Sequence, residues 1–148
     1  MQNSKKAFTM IEMIFVIVVL GILASIAIPK LAATRTDAQI TKGIADVSTI
    51  RSGIVTERQA RLITGSSDWI TKANMDGGSG DFFGGVMMYG VKASTGNNGW
   101  SSTVSGTYTF KVNGSSNTFK YYDSTHATVA DRGKFLCTTG NECSVLAE

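Results

Sequence analysis

An apolar run near the N-terminus constrains this chain of 148 residues more than any other feature. Between residues 8 and 28 only Thr9, Glu12 and Ser25 are polar. As a helix this run would be about 31 Å long at ~1.5 Å per residue, which matches a hydrocarbon core of roughly 30 Å. The run therefore predicts a helix that is long and apolar enough to cross a membrane.

Charge placement predicts the orientation of that helix. Lys5 and Lys6 precede the run, which favours a cytoplasmic N-terminus and export of the remaining chain. They also supply most of the formal net charge of +3, so the rest of the chain is nearly neutral. The basic pI is therefore weak evidence for a nucleic-acid-binding face.

Glu12 is a carboxylate inside the apolar run, and three interpretations compete to explain it. A cleaved secretory signal would end near the small residues Ser25 and Ala27, but the carboxylate and the long run argue against it. A plain membrane anchor fits the length but leaves Glu12 unexplained, since a carboxylate at the centre of a lone span costs roughly 2.5–3.5 kcal/mol. In the third interpretation Glu12 pairs with a terminal amine and fixes the register between subunits, because misplaced charges would be unpaired in an apolar bundle.

The helical pattern continues beyond the run as an amphipathic segment. Pro29 removes a backbone donor, which predicts a kink or local melting at that point. An apolar stripe follows at helical spacing, and Gly65 after a basic last turn predicts the helix end. The stripe consists of Ile40, Ile44, Val47, Ile54 and Leu62, with Ile50 near its edge. One kinked helix from about Thr9 to about Thr64 is therefore expected.

The remainder of the chain predicts a loop followed by short strands. Residues 65–85 are glycine-rich and indicate a flexible connection. Residues 107–112 alternate, with Tyr108, Phe110 and Val112 on one face, and the turn signal at 113–117 leads into a returning strand at 118–122. Two further segments, 86–93 and 133–137, are also expected to be strands. The predicted fold class is α+β, a long kinked N-terminal helix packed on a small C-terminal antiparallel sheet.

Two cysteines lie close together near the C-terminus. Cys137 and Cys143 suit one disulfide if the domain is exported, and two buried free thiols are the alternative. A catalytic triad needs a base, and the only histidine, His126, lies in a polar segment without a convergent catalytic set. We therefore predict that the chain is not an enzyme and has no catalytic residues.

Metal binding has only weak support in the sequence. Asp123 and Asp131 are the weak candidates for oxygen ligands to calcium, with Asp76 and Asp81 as further carboxylates. Their spacing matches no calcium motif, so no metal site and no cofactor are predicted beyond that low expectation of calcium.

The stretch KKAFTMIEMIFVIVVLGILASIAIPK resembles the class III leader and first helix of type IV pilins and type II secretion pseudopilins. The resemblance implies the pilin fold, and it implies that a membrane prepilin peptidase cuts between Ala7 and Phe8 and N-methylates Phe8. It also implies that Glu12, as fifth mature residue, neutralises a neighbouring subunit's terminal amine, and that Pro29 ends the apolar run. The family usually has Gly before the cut where this chain has Ala7. The Cys137–Cys143 pair would resemble the C-terminal disulfide loop of many type IV pilins.

The chain is expected to consist of four segments. Residues 1–7 are the cleaved leader, 8–29 the transmembrane and filament-core helix, 30–64 an amphipathic helix, and 65–148 an antiparallel β domain with a C-terminal disulfide loop. The expected function is a structural subunit of a type IV pilus-like or type II secretion pseudopilus filament, assembled through the N-terminal helix. The alternative is a minor pilin with an adhesive or DNA-uptake role, for which Lys111, Lys120 and Tyr122 are scattered candidates.

The same resemblance implies partners and a location. The partners are other copies or other pilins in a helical filament, the prepilin peptidase and an inner-membrane assembly platform, while nucleic acid is not expected as the main partner. The chain is expected to cross the bacterial inner membrane once, with a cytoplasmic N-terminus and a periplasmic globular domain, and to become periplasmic or extracellular when assembled.

Overall fold

The structure is a computed structural model that describes residues 8–78 and 80–147. Helix α1 runs from Met10 to Ile63. A four-stranded sheet follows, and a short C-terminal helix, α2, closes the chain at Cys143–Leu146. The strands are β1 Gly99–Val104, β2 Thr107–Val112, β3 Ser115–Tyr121 and β4 Phe135–Thr139. Short 3-10 helices lie at Lys72–Asn74 and Val129–Asp131. The α+β class predicted from the sequence is confirmed.

The chain divides into two compact units, Met1–Arg35 and Thr36–Glu148, which we call the N-terminal and C-terminal units. The described part of the N-terminal unit is the first half of α1, and its apolar side chains are exposed along its length. It contains a segment long and apolar enough to cross a membrane. The four-part organisation predicted from the sequence places its boundaries elsewhere, after residues 29 and 64, and stays a prediction.

Pro29 lies inside α1 without interrupting it. The helix is continuous on both sides of this residue, so the local melting predicted there is wrong. A proline removes one backbone donor, but the hydrogen bonds of the flanking turns still hold the helix. The predicted kink stays a prediction.

The end of α1 is set by glycine, as the sequence predicted. Gly65 has φ of 87°, in the left-handed region that glycine adopts without a Cβ clash. Its N–H donates to the carbonyl of Leu62 at 3.1 Å, and the N–H of Ser66 donates to the carbonyl of Arg61 at 2.9 Å. This pair of bonds is the Schellman motif, which satisfies carbonyls that the helix end would otherwise leave unpaired.

The sheet is an antiparallel meander in the order β1-β2-β3-β4. Strand β2 has the predicted bounds, and its inward residues Tyr108, Phe110 and Val112 are buried. Strand β3 begins at Ser115, earlier than predicted, because the two-residue turn needs only Asn113 and Gly114, both with positive φ. The four strands therefore present one buried face and one solvent-facing face.

The core of the C-terminal unit lies between α1 and the inner face of the sheet. Val47, Ile50 and Ile54 of α1 are buried there against the aromatic side chains of the sheet. Trp100 is almost fully buried and donates its indole Nε1–H to Asp46 of α1 at 2.9 Å. The aromatic members of the core are Phe83, Trp100, Tyr108, Phe110, Phe119, Tyr121 and Phe135.

Two positions of the predicted helix stripe are wrong. Ile50 is fully buried, whereas the sequence pattern predicts it near the edge of the stripe. Leu62 is 51% exposed and lies one residue before the end of α1 at Ile63. The buried positions Gly43, Val47, Ile50 and Ile54 repeat every three or four residues, so the true stripe is offset from the predicted one.

The strand predicted at residues 86–93 is wrong. Only a single bridge is present in this region, between Phe82 and Val91. The N–H groups of Val86 and Met87 both donate to the carbonyl of Phe83, so this backbone forms a turn rather than a ladder. The first strand of the sheet is instead β1, which the sequence did not indicate because serine and glycine make up half of it.

The glycine-rich segment before β1, predicted as a connection, contributes Ile70, Met75 and Phe83 to the core. Phe83 is fully buried although its φ is 65°. Asp76 stabilises this conformation, because one carboxylate oxygen accepts hydrogen bonds from the Phe83 N–H at 3.1 Å and from the Tyr108 hydroxyl at 2.8 Å. Burial first, and then the bond to Asp76, raises the pKa of Tyr108 above its ordinary value.

Candidate functional site

The start of α1 is a capping box built from Thr9 and Glu12. Oε2 of Glu12 accepts hydrogen bonds from the Thr9 N–H at 3.1 Å and from the Thr9 hydroxyl at 3.0 Å. The Thr9 hydroxyl in turn accepts from the Glu12 N–H at 3.3 Å. Two donors that the first turn of a helix leaves unpaired are thereby satisfied, and the carboxylate lies at the positive end of the helix dipole.

The capping box gives one reason for a carboxylate at position 12 of the apolar run. The carboxylate already has partners within its own chain, so the plain-anchor interpretation no longer leaves it without a role. The sequence signal was present and was missed: T-x-x-E directly before an apolar helix is the signature of a capping box. Since glutamine can serve in a capping box as well as glutamate, the capping role alone does not require a charge.

The processing residues are only partly within the described structure. Ala7, with the leader residues Lys5 and Lys6, lies outside the described residues. Phe8 is described and is 75% exposed, and α1 begins two residues later at Met10. The predicted cut would therefore leave Phe8 and Thr9 ahead of the helix, with the new amine close in sequence to Glu12.

The C-terminal tail is closed by the disulfide that the cysteine count suggested. Cys137 of β4 is bonded to Cys143 of α2, with Cα atoms 5.5 Å apart. The side chain of Asn117, fully buried on β3, accepts a hydrogen bond from the Glu142 N–H at 3.0 Å. It also packs directly against Gly140, whose φ of 142° belongs to glycine. Asn117 therefore holds the loop between the two cysteines against the sheet, a role that its sequence context did not indicate.

Arg51 ties the same tail to the helix. Its Nε donates to the carbonyl of Phe135 at 3.2 Å, and its Nη1 donates to the carbonyl of Ala147 at 2.9 Å. Arg51 also lines a surface cavity of about 300 Å³ with Ile44, Val47 and Leu146. The two bonds explain why a cationic residue lies beside the apolar stripe of α1.

The weak calcium candidates are not assembled into a metal site. Asp123 uses Oδ1 to accept from the N–H and hydroxyl of Thr125, and Oδ2 to accept from the Lys72 N–H. Asp131 instead pairs with Lys134, with Nζ and Oδ1 3.0 Å apart. Within residues 8–78 and 80–147, no group of three His, Cys, Asp or Glu side chains is placed to hold a metal ion.

The hydrogen bonds around Asp123 set its ionisation. Burial by itself would raise the pKa of the Asp123 carboxyl. The bonds from Thr125 and from the Lys72 N–H, together with the Lys72 ammonium, outweigh that effect and lower the pKa below its ordinary value. The carboxylate therefore stabilises the folded state as an anion that joins the segment after α1 to the loop after β3.

His126 has a structural environment. Its ring lies against Tyr122, with centroids 4.4 Å apart, and its carbonyl accepts a hydrogen bond from Nε of Arg132 at 2.8 Å. The contacts described for His126 are therefore with an aromatic ring and with an arginine side chain.

The described chain combines a helix whose N-terminal part is long and apolar enough to cross a membrane with a small α+β unit. A family model described as the prokaryotic N-terminal methylation motif matches residues 2–28. Two fimbrial proteins of Pseudomonas aeruginosa are each 37% identical to this chain over 50 residues, which is 34% of this chain and 32% of each relative. No solved structure gives a significant match.

These matches support a type IV pilin family for the chain, as the resemblance of the N-terminal stretch predicted. That family is structural rather than enzymatic, which agrees with the prediction that the chain is not an enzyme. The match covers about a third of the length of the curated relatives. The described sheet and disulfide loop lie outside the motif match, and their fold rests on the geometry given above.

Proposed function

We propose that this chain is a pilin subunit that is held in the inner membrane by the first half of α1 and is then assembled into a helical filament through that same segment. The observation that carries the proposal is the continuous run of exposed apolar side chains along the N-terminal unit. Such a surface is stable in lipid or against other copies of itself, but not in water. The methylation motif over residues 2–28 supports processing by a prepilin peptidase before assembly.

Glu12 is the residue we assign to subunit register. Cleavage between Ala7 and Phe8 would create an amine at the head of the helix, and a neighbouring subunit's Glu12 would pair with it. The capping box holds the Glu12 carboxylate at the helix start before assembly, with Oε2 engaged by Thr9. A carboxylate also accepts at its other oxygen and at further lone pairs, so the amine can bind without breaking the cap. A subunit out of register would leave both charges unpaired in an apolar bundle, which is strongly unfavourable.

The remaining features define the subunit's place in the cell. The basic leader favours a cytoplasmic N-terminus, which would put the C-terminal unit in the periplasm. The disulfide between Cys137 and Cys143 supports that assignment, since such bonds persist in oxidising compartments. The disulfide loop favours a pilus, whereas the glycine-rich segment favours a secretion pseudopilus. In either filament an inner-membrane platform would extract the subunit from the membrane.

Isolation of filaments tests this proposal. Cells that produce the chain are sheared, and the released material is imaged by electron microscopy with gold-labelled antibodies raised against residues 107–121. We expect labelled unbranched filaments, either in the sheared fraction or, for a pseudopilus, after overproduction of the subunit. If the chain stays in the membrane fraction while other filaments form and remain unlabelled, the proposal is wrong.

A further inference from the structure

The solvent-facing side of the sheet has an unusual distribution of charge. None of the four strands described above contains an Asp or a Glu. The carboxylates of the C-terminal unit lie on α1, in the connecting segments and beside α2. A surface that serves only solubility would mix charges of both signs. The charged residues of the four strands are instead two lysines, Lys111 and Lys120.

Hydroxyl groups occupy most of the remaining outward positions. The pairing of the strands places Ser101 opposite Thr109, Thr109 opposite Thr118, and Thr118 opposite Thr139. One row of hydroxyl side chains therefore crosses the whole sheet. Thr107 and Ser116 continue the pattern on either side of that row, opposite Lys120 and Lys111 respectively.

The lysines form a diagonal line across these rows. Lys111 is opposite Ser116, which lies four residues before Lys120 on β3, so the two lysines are roughly 14 Å apart. Lys134 continues the line. The Tyr122 N–H donates to the Lys134 carbonyl, so the pairing of β3 with β4 extends one residue further and places Lys134 next to Tyr122. Among the described residues, Asp131 is the carboxylate that forms a salt bridge with this line, with its Oδ1 3.0 Å from Nζ of Lys134. Lys111 and Lys120 form no salt bridge within the described residues.

From this surface we infer a binding site for an acidic polysaccharide, an extended polymer whose carboxylates would meet the lysines and whose hydroxyls would meet the serine and threonine rows. Charge complementarity favours a polyanion. Sheet surfaces that bind single-stranded nucleic acid use exposed aromatic rings for stacking. The aromatic side chains of the four strands are all buried in the core, and the ring of Tyr122, just beyond β3, already lies against His126. Sugar hydroxyls and carboxylates therefore fit this surface better than bases do.

The test uses the full-length chain, immobilised in a non-ionic detergent, with polygalacturonate as the probe. We expect binding that weakens as salt is added. The double variant Lys111→Gln, Lys120→Gln should bind roughly five- to tenfold more weakly, since each exposed ion pair contributes little by itself. The matched control is Lys42→Gln, Lys92→Gln, which removes the same charge from exposed positions on α1 and before β1 and should leave binding unchanged.

A second variant tests the hydroxyl row. Thr109→Glu places a carboxylate in the middle of this surface, at an outward position, and should reduce binding at least as strongly as the double variant. The proposal is overturned if the wild-type chain does not bind polygalacturonate, or if the control pair weakens binding as much as the sheet pair. It is also overturned if poly(dT) binds more tightly than polygalacturonate, which would point to nucleic acid, or if neutral dextran binds equally well.

Discussion

The two roles of Glu12 can be separated by variants that remove one role at a time. Glu12→Gln keeps an oxygen that can accept from Thr9 and therefore keeps the capping box, but it removes the charge. Thr9→Val keeps the charge, but it removes the hydroxyl that accepts from the Glu12 N–H and donates to Oε2. Glu12→Ala removes both.

The expected magnitudes differ enough to be distinguished. Loss of the cap at Thr9 costs about 0.5–2 kcal/mol of helix stability. Loss of the charge leaves a neighbour's amine unpaired in an apolar bundle, which costs about 3–5 kcal/mol for each contact. The second loss corresponds to a weakening of each contact by more than ~100-fold, since 1.4 kcal/mol is tenfold. Filaments should therefore be nearly absent in Glu12→Gln and Glu12→Ala and only reduced in Thr9→Val.

The assay compares the sheared filament yield with the amount of the same variant in the membrane fraction. Membrane insertion should be retained in every variant, and it should improve slightly in Glu12→Ala, because a carboxylate within a lone span is costly. Filament yield at the wild-type level in Glu12→Gln would refute the register argument. A loss in Thr9→Val as large as that in Glu12→Ala would show instead that the cap is what assembly requires.

Three further predictions concern the stability of the C-terminal unit, measured in detergent by Trp fluorescence during urea unfolding. The double variant Cys137→Ala, Cys143→Ala should lose about 2 kcal/mol, as expected for a short closed loop, and peptide mapping should show the two residues linked in the wild type. Asp123→Asn should be less stable by about 1–3 kcal/mol at neutral pH. The pKa of Asp123 is lower in the folded state than in the unfolded state. The stability difference between the wild type and Asp123→Asn should therefore shrink only as the pH falls below about 4, through the folded-state pKa. A stability difference that stays unchanged at low pH would contradict this role of the Asp123 carboxylate. Gly53→Ala should destabilise by about 1–3 kcal/mol because its Cβ would meet the Val86 carbonyl, whereas Ser52→Ala on the exposed side should be neutral.

The elements that the sequence predicted well are those whose own residues determine them. The apolar run and most positions of the helical stripe lie within one continuous helix that the Gly65 turn ends, so their pattern is visible without the rest of the fold. The β2 strand alternates strictly, and Asn113-Gly114 is a turn signal by itself. The position of the disulfide followed from there being only two cysteines.

The elements that the sequence did not predict depend on contacts between distant residues. Strand β1 is rich in serine and glycine, and its pairing is favoured by burial of Trp100 against α1 and by the bond to Asp46. The segment at 86–93 has four consecutive apolar residues, a pattern typical of a strand, yet Met88 at its centre is 90% exposed. Asn117 acquires its role only when the disulfide loop folds over it. The capping box is different, because its signal is local and could have been found.

The most direct measurement of the central claim is the mass of the mature N-terminus, determined on the chain purified from membranes of cells with a prepilin peptidase. We expect a chain that begins at Phe8 and carries one methyl group on its amine. The same preparation from cells without the peptidase should retain the leader residues before Phe8 and carry no methyl group on Phe8. A mature chain that begins near Ile28 would show that the apolar run is a cleaved secretory signal, and the filament-core role of α1 would then be contradicted.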